Sequence, residues 1–568
     1  MRRRRSAYAL GIGMVLLGSA AGAASPFLIK AAIDGLEAGT GGALARLVAA
    51  LALLAAAKAL LFFRGRYSVI AVSREIEREL REDFYRKLTR LEASFFDRNA
   101  SGDLHSRAIN DMDAVRMVAG ISVMITAGSS LLFAFSLAAM FAIDAKLAAA
   151  AMVPLLLVCA VTALTEGRMY AQSERVQEVL AELSTLAQEN FSGARVVRAF
   201  AREAAELRRF SHASRSYLKA ALALALTRGT AWGLMVLLME STLGVTLLLG
   251  GLGIIRGTLG KGDFVAFTAY QFMLVWPVIG VGWVVTLVQR GAACMARINA
   301  VLDAPEEERR APPCSLQGCR IEFRDLTFRY SEDRPPALSG VSFTLEPGER
   351  VAVVGRTGSG KSTLLQILLG LYRPPAGTVF LDGRDINDIP RAALRAAMAC
   401  APQDSFLFSD TLLANIAFGA EGEASRERVL AAAEASRLSE DLSAFPSGIG
   451  QVIGERGITL SGGQKQRASL ARALMRKPPV LLLDDTLSSV DVRTEAAILE
   501  RLTPHLEDRT CILVTHRFSS VAKARRIMVL DEGRLVEDGT HDALLAAKGF
   551  YARLAARQRL EENLTSSS

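Results

Sequence analysis

The sequence has little of what a disulfide scaffold or a metal centre needs. Its 568 residues include six cysteines, of which only Cys314 and Cys319 lie near each other, and no second pair completes a zinc site. Charged residues make up only 22% of the chain and hydrophobic residues 51%, which excludes a disordered protein. No internal repeat is present. The composition instead indicates a chain with a large membrane component.

The basic residues are not gathered into one domain. The formal net charge is +9, but Lys and Arg are spread through segments that flank long apolar runs. This distribution is typical of residues that orient membrane helices rather than of a nucleic-acid surface. We therefore expect a lipid bilayer as a partner and no nucleic acid.

Six apolar runs are long enough to cross the roughly 30 Å hydrocarbon core of a bilayer as helices. The predicted spans cover about residues 7–33, 44–63, 120–141, 147–164, 230–254 and 264–288. The first run follows MRRRRS and so resembles a signal peptide. Its length and the spans that follow it favour a retained anchor.

The loops between the spans differ in charge. The stretches 64–116 and 168–228 are rich in arginine, whereas 34–42 contains no Lys or Arg. The positive-inside rule then places the N-terminus, both long loops and everything after Arg290 in the cytoplasm. Apolar residues at helical spacing predict that the loops are helical extensions of the spans. Small-residue turns within residues 94–115 and 189–210 predict short transverse helices, and plain interhelical turns are the alternative.

A domain boundary follows the last span. We predict an all-α, six-helix transmembrane domain over 1–303, a charged, proline-rich linker over 304–319, and an α/β domain over 320–568. In the last segment short β-rich runs alternate with helical patterns, which favours a largely parallel sheet.

A glycine-rich loop in the α/β domain predicts a phosphate site. The strand-like run RVAVVG leads into G-x-x-x-x-G-K-S, which opens a helix. In this arrangement backbone N–H groups turn onto phosphate oxygens, Lys361 reaches the β and γ phosphates, and the Ser362 hydroxyl binds Mg²⁺. The predicted ATP-binding residues of the loop are Gly355, Arg356, Thr357, Gly358, Ser359, Gly360, Lys361, Ser362 and Thr363.

An apolar strand ending in two carboxylates follows about 120 residues later. In PVLLLDD, Asp484 is the candidate Walker B acid that holds the Mg²⁺ shell. The cofactors predicted from these two motifs are ATP and Mg²⁺.

Between these motifs lies LSGGQKQR, which resembles the signature of ATP-binding cassette (ABC) proteins. Further segments follow in the order of that family. Tyr330 resembles the aromatic residue that stacks on adenine, Gln403 the Q-loop residue that contacts ATP and Mg²⁺, GERG at 454–457 the X-loop, and His516 the switch histidine. The signature residues are Leu460, Ser461, Gly462, Gly463 and Gln464, and the residues that resemble the D-loop are Ser488 and Asp491.

The whole chain resembles a half-transporter of the type IV ABC exporters, which include multidrug and lipid exporters. The resemblance implies an ABC transporter ATPase in the inner (plasma) membrane that pairs with a second half-transporter and carries small amphipathic substrates. In such a pair the signature faces the ATP held by the partner's P-loop. The resemblance implies that the two transverse breaks are the family's coupling helices, near 94–109 and 193–200, and that the second contacts the partner's cassette.

One position departs from the family pattern. The family places a catalytic Glu after the Walker B Asp, and this chain has Asp485, which is one methylene shorter. Positioning a catalytic group is critical, so we expect slow or absent hydrolysis at this chain's own Walker site. The chain thus resembles the degenerate-site half of a heterodimeric bacterial exporter. Two alternatives stay open, a homodimeric exporter with slow hydrolysis through Asp485 and a non-transporting regulatory subunit that senses nucleotide.

The membrane domain offers one candidate substrate residue. Glu240 lies inside the fifth span, where a carboxylate is costly and usually faces the helix bundle or a wet cavity. It is a candidate for contacting a cationic substrate, and a partner on a neighbouring helix is the competing interpretation.

Overall fold

The computed structural model describes residues 5–37, 41–307, 316, 319–454, 460–506, 509–517, 521 and 524–566. Residues 455–457 of the expected X-loop and most of the expected linker lie outside these ranges. The chain forms two compact units. The first comprises residues 1–88 and 102–303, and the second comprises 89–101 and 304–568.

Helices account for almost all of the chain up to residue 302. Among the described residues they are α1 (Arg5–Glu37), α2 (Gly41–Leu88), α3 (Ala93–Arg98), α4 (Ser101–Ile143), α5 (Ala145–Ser192), α6 (Ala194–Ala199), α7 (Glu203–Ile255) and α8 (Lys261–Leu302). Six of them are long and apolar enough to cross a membrane. Helix α7 has 53 residues and is about 80 Å long at 1.5 Å per residue. Helices of this length extend well beyond the bilayer.

The first transverse helix is shorter than the sequence suggested. Helix α3 ends at Arg98 because Asn99 adopts an extended backbone, with φ −122° and ψ 115°. The Asn99 side-chain amide donates 2.8 Å to the carbonyl of Phe95 and closes the last turn. Residues from Ser101 onward already belong to α4, so the expected break near 94–109 is wrong in its second half. The second break forms α6, close to the expected 193–200.

Helices α1 and α2 approach each other closely because glycine lies between them. A Cβ on Gly65 would lie 2.9 Å from the Gly11 carbonyl oxygen and 3.0 Å from the Val15 nitrogen. Neither backbone atom can move without shifting its helix. Small residues that allow such close contact are a common basis of helix packing in membranes.

Polar side chains also join helices of the first unit. The Tyr270 hydroxyl donates 2.8 Å to the Ala23 carbonyl, and Thr246 donates 2.7 Å to Gln271. At the outer end, ion pairs join α1 to α8, one of them between Lys30 and Asp263 at 2.5 Å. The bonds of Tyr270 and Thr246 satisfy polar groups that would be costly to bury alone in hydrocarbon.

The second unit contains two sheets. Their strands are β1 (Ile321–Phe328), β2 (Leu338–Leu345), β3 (Arg350–Gly355), β4 (Val379–Leu381), β5 (Arg384–Asp385), β6 (Met398–Ala401), β7 (Val480–Asp484), β8 (Thr510–Val514), β9 (Arg526–Asp531) and β10 (Arg534–Gly539). The larger sheet has the order β10-β9-β3-β8-β7-β6 and is parallel except for β10. The runs IEFRDLTF and TVFLDG form β1 and β4 of a separate antiparallel sheet, β2-β1-β4-β5, rather than strands of the parallel one.

Helices pack around the larger sheet. They are α9 (Lys361–Leu368), α10 (Arg391–Ala396), α11 (Leu412–Ala417), α12 (Arg426–Ala435), α13 (Ser439–Leu442), α14 (Gly462–Leu474), α15 (Val492–Leu502), α16 (His541–Ala546) and α17 (Phe550–Ser566). The main core lies between the two sheets and includes α9, with Phe323 stacked on Phe343 at 4.4 Å. A second apolar cluster joins α11, α12 and α14 into a helical subdomain.

Residues 89–101 pack with the second unit, although the sequence assigned them to the transmembrane domain. Leu91 forms an antiparallel bridge with Glu306, and the Glu307 amide donates 2.8 Å to the Arg90 carbonyl. The sequence-based boundary at residue 303 stays a prediction. These contacts join the residues just before α3 to residues 306 and 307, which precede β1.

The close approach of α1 and α2 leads to a stability prediction. We expect Gly65→Ala to lower the melting temperature of the purified protein, since the added methyl group overpacks the contact at a cost of about 1–3 kcal/mol. Gly13→Ala is the matched control, because a Cβ there meets nothing within 4 Å and alanine is the better helix former. A thermal shift assay in detergent compares the two, and equal melting temperatures would rule out the close contact.

Candidate functional site

The glycine-rich loop joins β3 to α9 in a conformation that only glycine adopts readily. Gly358 and Gly360 have φ values of 82° and 95°, in the left-handed region. A Cβ on Gly360 would also collide with the carbonyl of Ala337. The loop thereby turns its backbone N–H groups toward the start of α9, where phosphate oxygens bind favourably.

Lys361 lies across this loop. Its ammonium group donates 2.7 Å to the Arg356 carbonyl, 3.0 Å to the Gly355 carbonyl and 3.4 Å to Ser359. The side chain is only 6% exposed. Burial lowers the pKa of Lys361, and the charges of Asp484 and Asp485 oppose that shift. A buried cation in reach of the loop suits a polyphosphate.

Hard oxygen donors stand beside the lysine. Asp484 ends β7 and accepts a 3.2 Å hydrogen bond from the Ser362 hydroxyl. Burial raises the pKa of Asp484, and the bond from Ser362 lowers it. A carboxylate and a hydroxyl at this place are ligands that Mg²⁺ prefers. Gln403 follows β6, the neighbour of β7, and its side chain is exposed.

Asp485 has an unusual backbone. Its φ is 43°, a left-handed conformation in which Asp is several-fold enriched among non-glycine residues. Its amide donates 2.9 Å to the carbonyl of Val514. The main chain at Asp485 is therefore fixed to β8, two residues before His516.

His516 belongs to the same charged cluster. Burial and the nearby Lys361 lower the pKa of His516, whereas Asp485 and Asp484 raise it. The net direction is downward, so the imidazole is neutral at pH 7 and keeps one N–H to donate.

Tyr330 extends the site beyond the phosphate loop. Its hydroxyl shares a 2.9 Å hydrogen bond with Thr363 and donates 2.8 Å to Gln366, both on α9. The residue is 41% exposed. An anchored ring with an accessible surface can stack on a base.

The signature segment begins α14. Ser461 and Gln464 form a reciprocal capping box, in which Gln464 also donates 3.2 Å to Asp441. Ser461 and Gly462 are exposed. The start of a 13-residue helix carries partial positive charge and exposed N–H groups, so it suits an anion. The capping box and the bond to Asp441 tie the signature residues to the helical subdomain. They therefore belong to a different part of the domain from the phosphate-loop cluster, which forms at the ends of β3 and β7.

Two residues absent from the predicted site connect its segments. Gln466 on α14 donates 2.9 Å to the Ser488 hydroxyl and accepts 2.9 Å from the Ser489 amide. Arg517 donates 2.7 Å to the Ser488 carbonyl and 2.6 Å to that of Val490. Gln466 lies inside the segment LSGGQKQR and Arg517 directly follows His516, but only the fold shows that both residues contact the D-loop. Asp491 ends that loop as the N-cap of α15.

In the first unit, Glu240 lines a cavity of about 300 Å³. Phe272 and Trp276 line the same cavity, together with methionine and leucine side chains. A second cavity of about 610 Å³ is lined by Glu166 and by apolar and hydroxyl side chains. Within the described part of the chain, neither carboxylate forms an ion pair. The role of Glu240 stays a prediction.

Comparisons with known proteins agree with this architecture. The family profile described as the ABC transporter transmembrane region matches residues 8–278, and the one described as ABC transporter matches residues 338–488. A probable multidrug resistance ABC transporter ATP-binding/permease protein, YheI of Bacillus subtilis, is 32% identical over 558 residues, 97% of this chain and 95% of that protein.

Two further matches cover most of the chain. The ATP-dependent lipid A-core flippase of Aromatoleum aromaticum is 36% identical over 513 residues, 90% of this chain and 85% of that protein. A solved structure of a bacterial Atm1-family ABC exporter with ATP bound superposes with a TM-score of 0.83 at 30% identity and covers 98% of both chains. The chain therefore belongs to the ABC transporter family, as a half-transporter of the ABC exporters, with six spans in the inner membrane and a cytoplasmic ATPase domain.

Proposed function

We propose that this chain is one half of a heterodimeric exporter of amphipathic or lipid-like compounds. In this proposal its own Walker site binds ATP but hydrolyses it slowly, and its signature completes a competent site on the partner. The observation that carries the proposal is Asp485 at the catalytic position of an otherwise intact site.

The backbone around Asp485 supports an impaired site. A glutamate places its carboxylate more than 1 Å further out than an aspartate does. The main chain cannot advance to compensate, because the Asp485 amide is bonded to Val514 and the preceding residue is paired within the sheet. A catalytic group misplaced by about 1 Å can cost on the order of 10²-fold in rate.

The remaining groups support ATP binding at the same site. The P-loop with Lys361 would hold the phosphates, Tyr330 the adenine, and Ser362, Gln403 and Asp484 the Mg²⁺ shell. When bound, Mg²⁺ neutralises charge on the β and γ phosphates. The neutral His516 would donate a hydrogen bond to the γ phosphate. Binding is thus retained while Asp485 is drawn back from the attacking water.

The signature supports the second half of the proposal. Its residues are intact, its helix is capped, and Ser461 and Gly462 are exposed where a second cassette can reach them. ABC half-transporters generally dimerise, and the segment would bind the γ phosphate of ATP on the partner. A homodimer with slow turnover is the main alternative, and the first measurement below separates the two.

The catalytic position gives a direct test. We expect the wild-type chain alone to be nearly inactive as an ATPase and its pair with a half-transporter carrying Glu at this position to be active. Asp485→Glu extends the carboxylate toward the water, so it should raise the activity of the lone chain at least about 10-fold and that of the pair only modestly. Asp485→Asn is the control, because it keeps the length of the side chain and removes its charge. A lone wild-type chain as fast as the pair would refute the degenerate site.

The signature gives an independent test in the assembled pair. Gly462→Asp places a negative charge where the partner's γ phosphate is expected, and a side chain fits there because a Cβ would meet Ser489 only at 3.4 Å. We expect steady-state ATPase activity to fall by about 10²-fold or more. ATP photolabelling of this chain's own P-loop should be unchanged. Gly462→Asn is the neutral control of equal size, and equal losses in the two variants would speak against the phosphate contact.

For the substrate, we propose that Glu240 contacts a cationic group while aromatic and methionine side chains of its cavity contact the apolar body. Glu240→Gln should raise the half-saturating concentration of tetraphenylphosphonium in stimulated ATPase assays by about 5- to 10-fold, the effect of one lost charged contact. The half-saturating concentration of a neutral analogue of the same size should be equal in the wild type and in Glu240→Gln. Glu166→Gln, at the other cavity, is the matched control, and an unchanged response to the cation in Glu240→Gln would exclude this role.

A further inference from the structure

A tyrosine without an assigned role lies between the proposed adenine platform and helix α3. The Tyr372 ring meets Tyr330 edge to face, with 4.9 Å between ring centroids and an angle of 90°. It also contacts Phe328, whose own ring lies 5.2 Å from Tyr330. These three rings form one aromatic cluster, so a change in the orientation of one ring alters the packing of the other two.

The hydroxyl end of Tyr372 reaches α3. It donates a 2.6 Å hydrogen bond to the Asp97 carboxylate. Burial raises the pKa of Tyr372, and the bond to Asp97 raises it further, so the hydroxyl stays protonated and donates at physiological pH. A single side chain thus spans the distance from Tyr330 to the short helix that joins α2 to α4.

Other contacts hold the start of the same segment without involving the aromatic cluster. Glu92 pairs with Arg373 at 3.1 Å, and Leu91 forms its bridge with Glu306. These two contacts fix the chain just before α3. The Asp97 bond lies inside α3 and joins it to a ring that packs on Tyr330.

We propose that Tyr372 is a positioning residue that transmits ATP occupancy of this chain's own site to the first cytoplasmic loop. The inference rests on the proposed function, in which the own site binds ATP without efficient hydrolysis. The hydroxyl bonds of Tyr330 hold one end of its ring, and stacked adenine limits the motion that remains. The limited ring restricts Tyr372, whose hydroxyl then holds Asp97, and hence α3, more tightly. Because hydrolysis at this site is slow, ATP stays bound and α3 stays held. The loop that joins α3 to α2 and α4 then keeps this state for as long as ATP is bound. By linkage, a held α3 also strengthens ATP binding.

The test measures hydrogen exchange of the peptides covering residues 89–101 in the full heterodimer, with the catalytic Glu of the partner replaced by Gln to prevent turnover. In the wild type, ATP with Mg²⁺ should slow exchange of this segment by at least about 3-fold, the effect of one ring contact or charged hydrogen bond. Tripolyphosphate with Mg²⁺ fills the P-loop without stacking on Tyr330 and should give a much smaller effect.

The variants separate positioning from folding. Tyr372→Phe keeps the ring and loses the hydroxyl, and Asp97→Asn keeps the size and loses the charge. Both should abolish the ATP-dependent slowing while exchange without nucleotide stays near that of the wild type, and the double variant should do no more than either single one. Glu92→Gln is the matched control on the same segment and should retain the ATP response.

Photolabelling with azido-ATP reports the occupancy of this chain's site in every sample. If the site is labelled and exchange does not respond to ATP, or if Tyr372→Phe keeps the full response, the positioning role is overturned while the proposed function stands. If this chain is not labelled, ATP binding at its own site fails, and the proposed function and this inference fail together.

Discussion

The parallel pairing of β3, β7 and β8 is the constraint on which the phosphate site depends. Val353 and Asp484 both pair with Val514, so three strands end at one edge of the sheet. The glycine-rich loop, the Walker carboxylate and the histidine loop start from that edge. Each of these three segments follows a largely buried strand. The sheet therefore fixes the point at which each segment begins.

The same sheet is the basis for the proposed effect of the one-methylene difference at Asp485. In a looser site the backbone could move to bring an aspartate forward. At Asp485 the left-handed turn and the bond to Val514 fix the point from which the side chain extends. The length of the side chain alone decides where the carboxylate ends. In the proposed function, this chain keeps its ATP-binding groups and differs from its partner in the length of one side chain.

The sequence was informative where the signal is local. The glycine-rich loop, the strand before Asp484 and the six apolar runs each lie within a single window of residues, and the structure has the corresponding elements. Pairing between distant segments has no such signal. Nothing near β1 indicates that it joins an antiparallel sheet, and no spacing relates Tyr372 to Asp97, which is 275 residues away. Gln466 and Arg517 stand beside residues that the sequence singled out, but their contacts with the D-loop arise only when α14 packs on the sheet and β7 pairs with β8.

The capping box at the start of α14 has a further consequence for assembly. Ser461 and Gln464 already satisfy each other's backbone groups before a second chain is present. The first turn of the helix is therefore ordered in the single chain, and little conformational entropy remains to be lost when a nucleotide meets it. In the proposed pair, a rigid surface of this kind would make closure of the two cassettes a docking of preformed parts. The free energy of closure would then depend on the charge and shape of what lies between them.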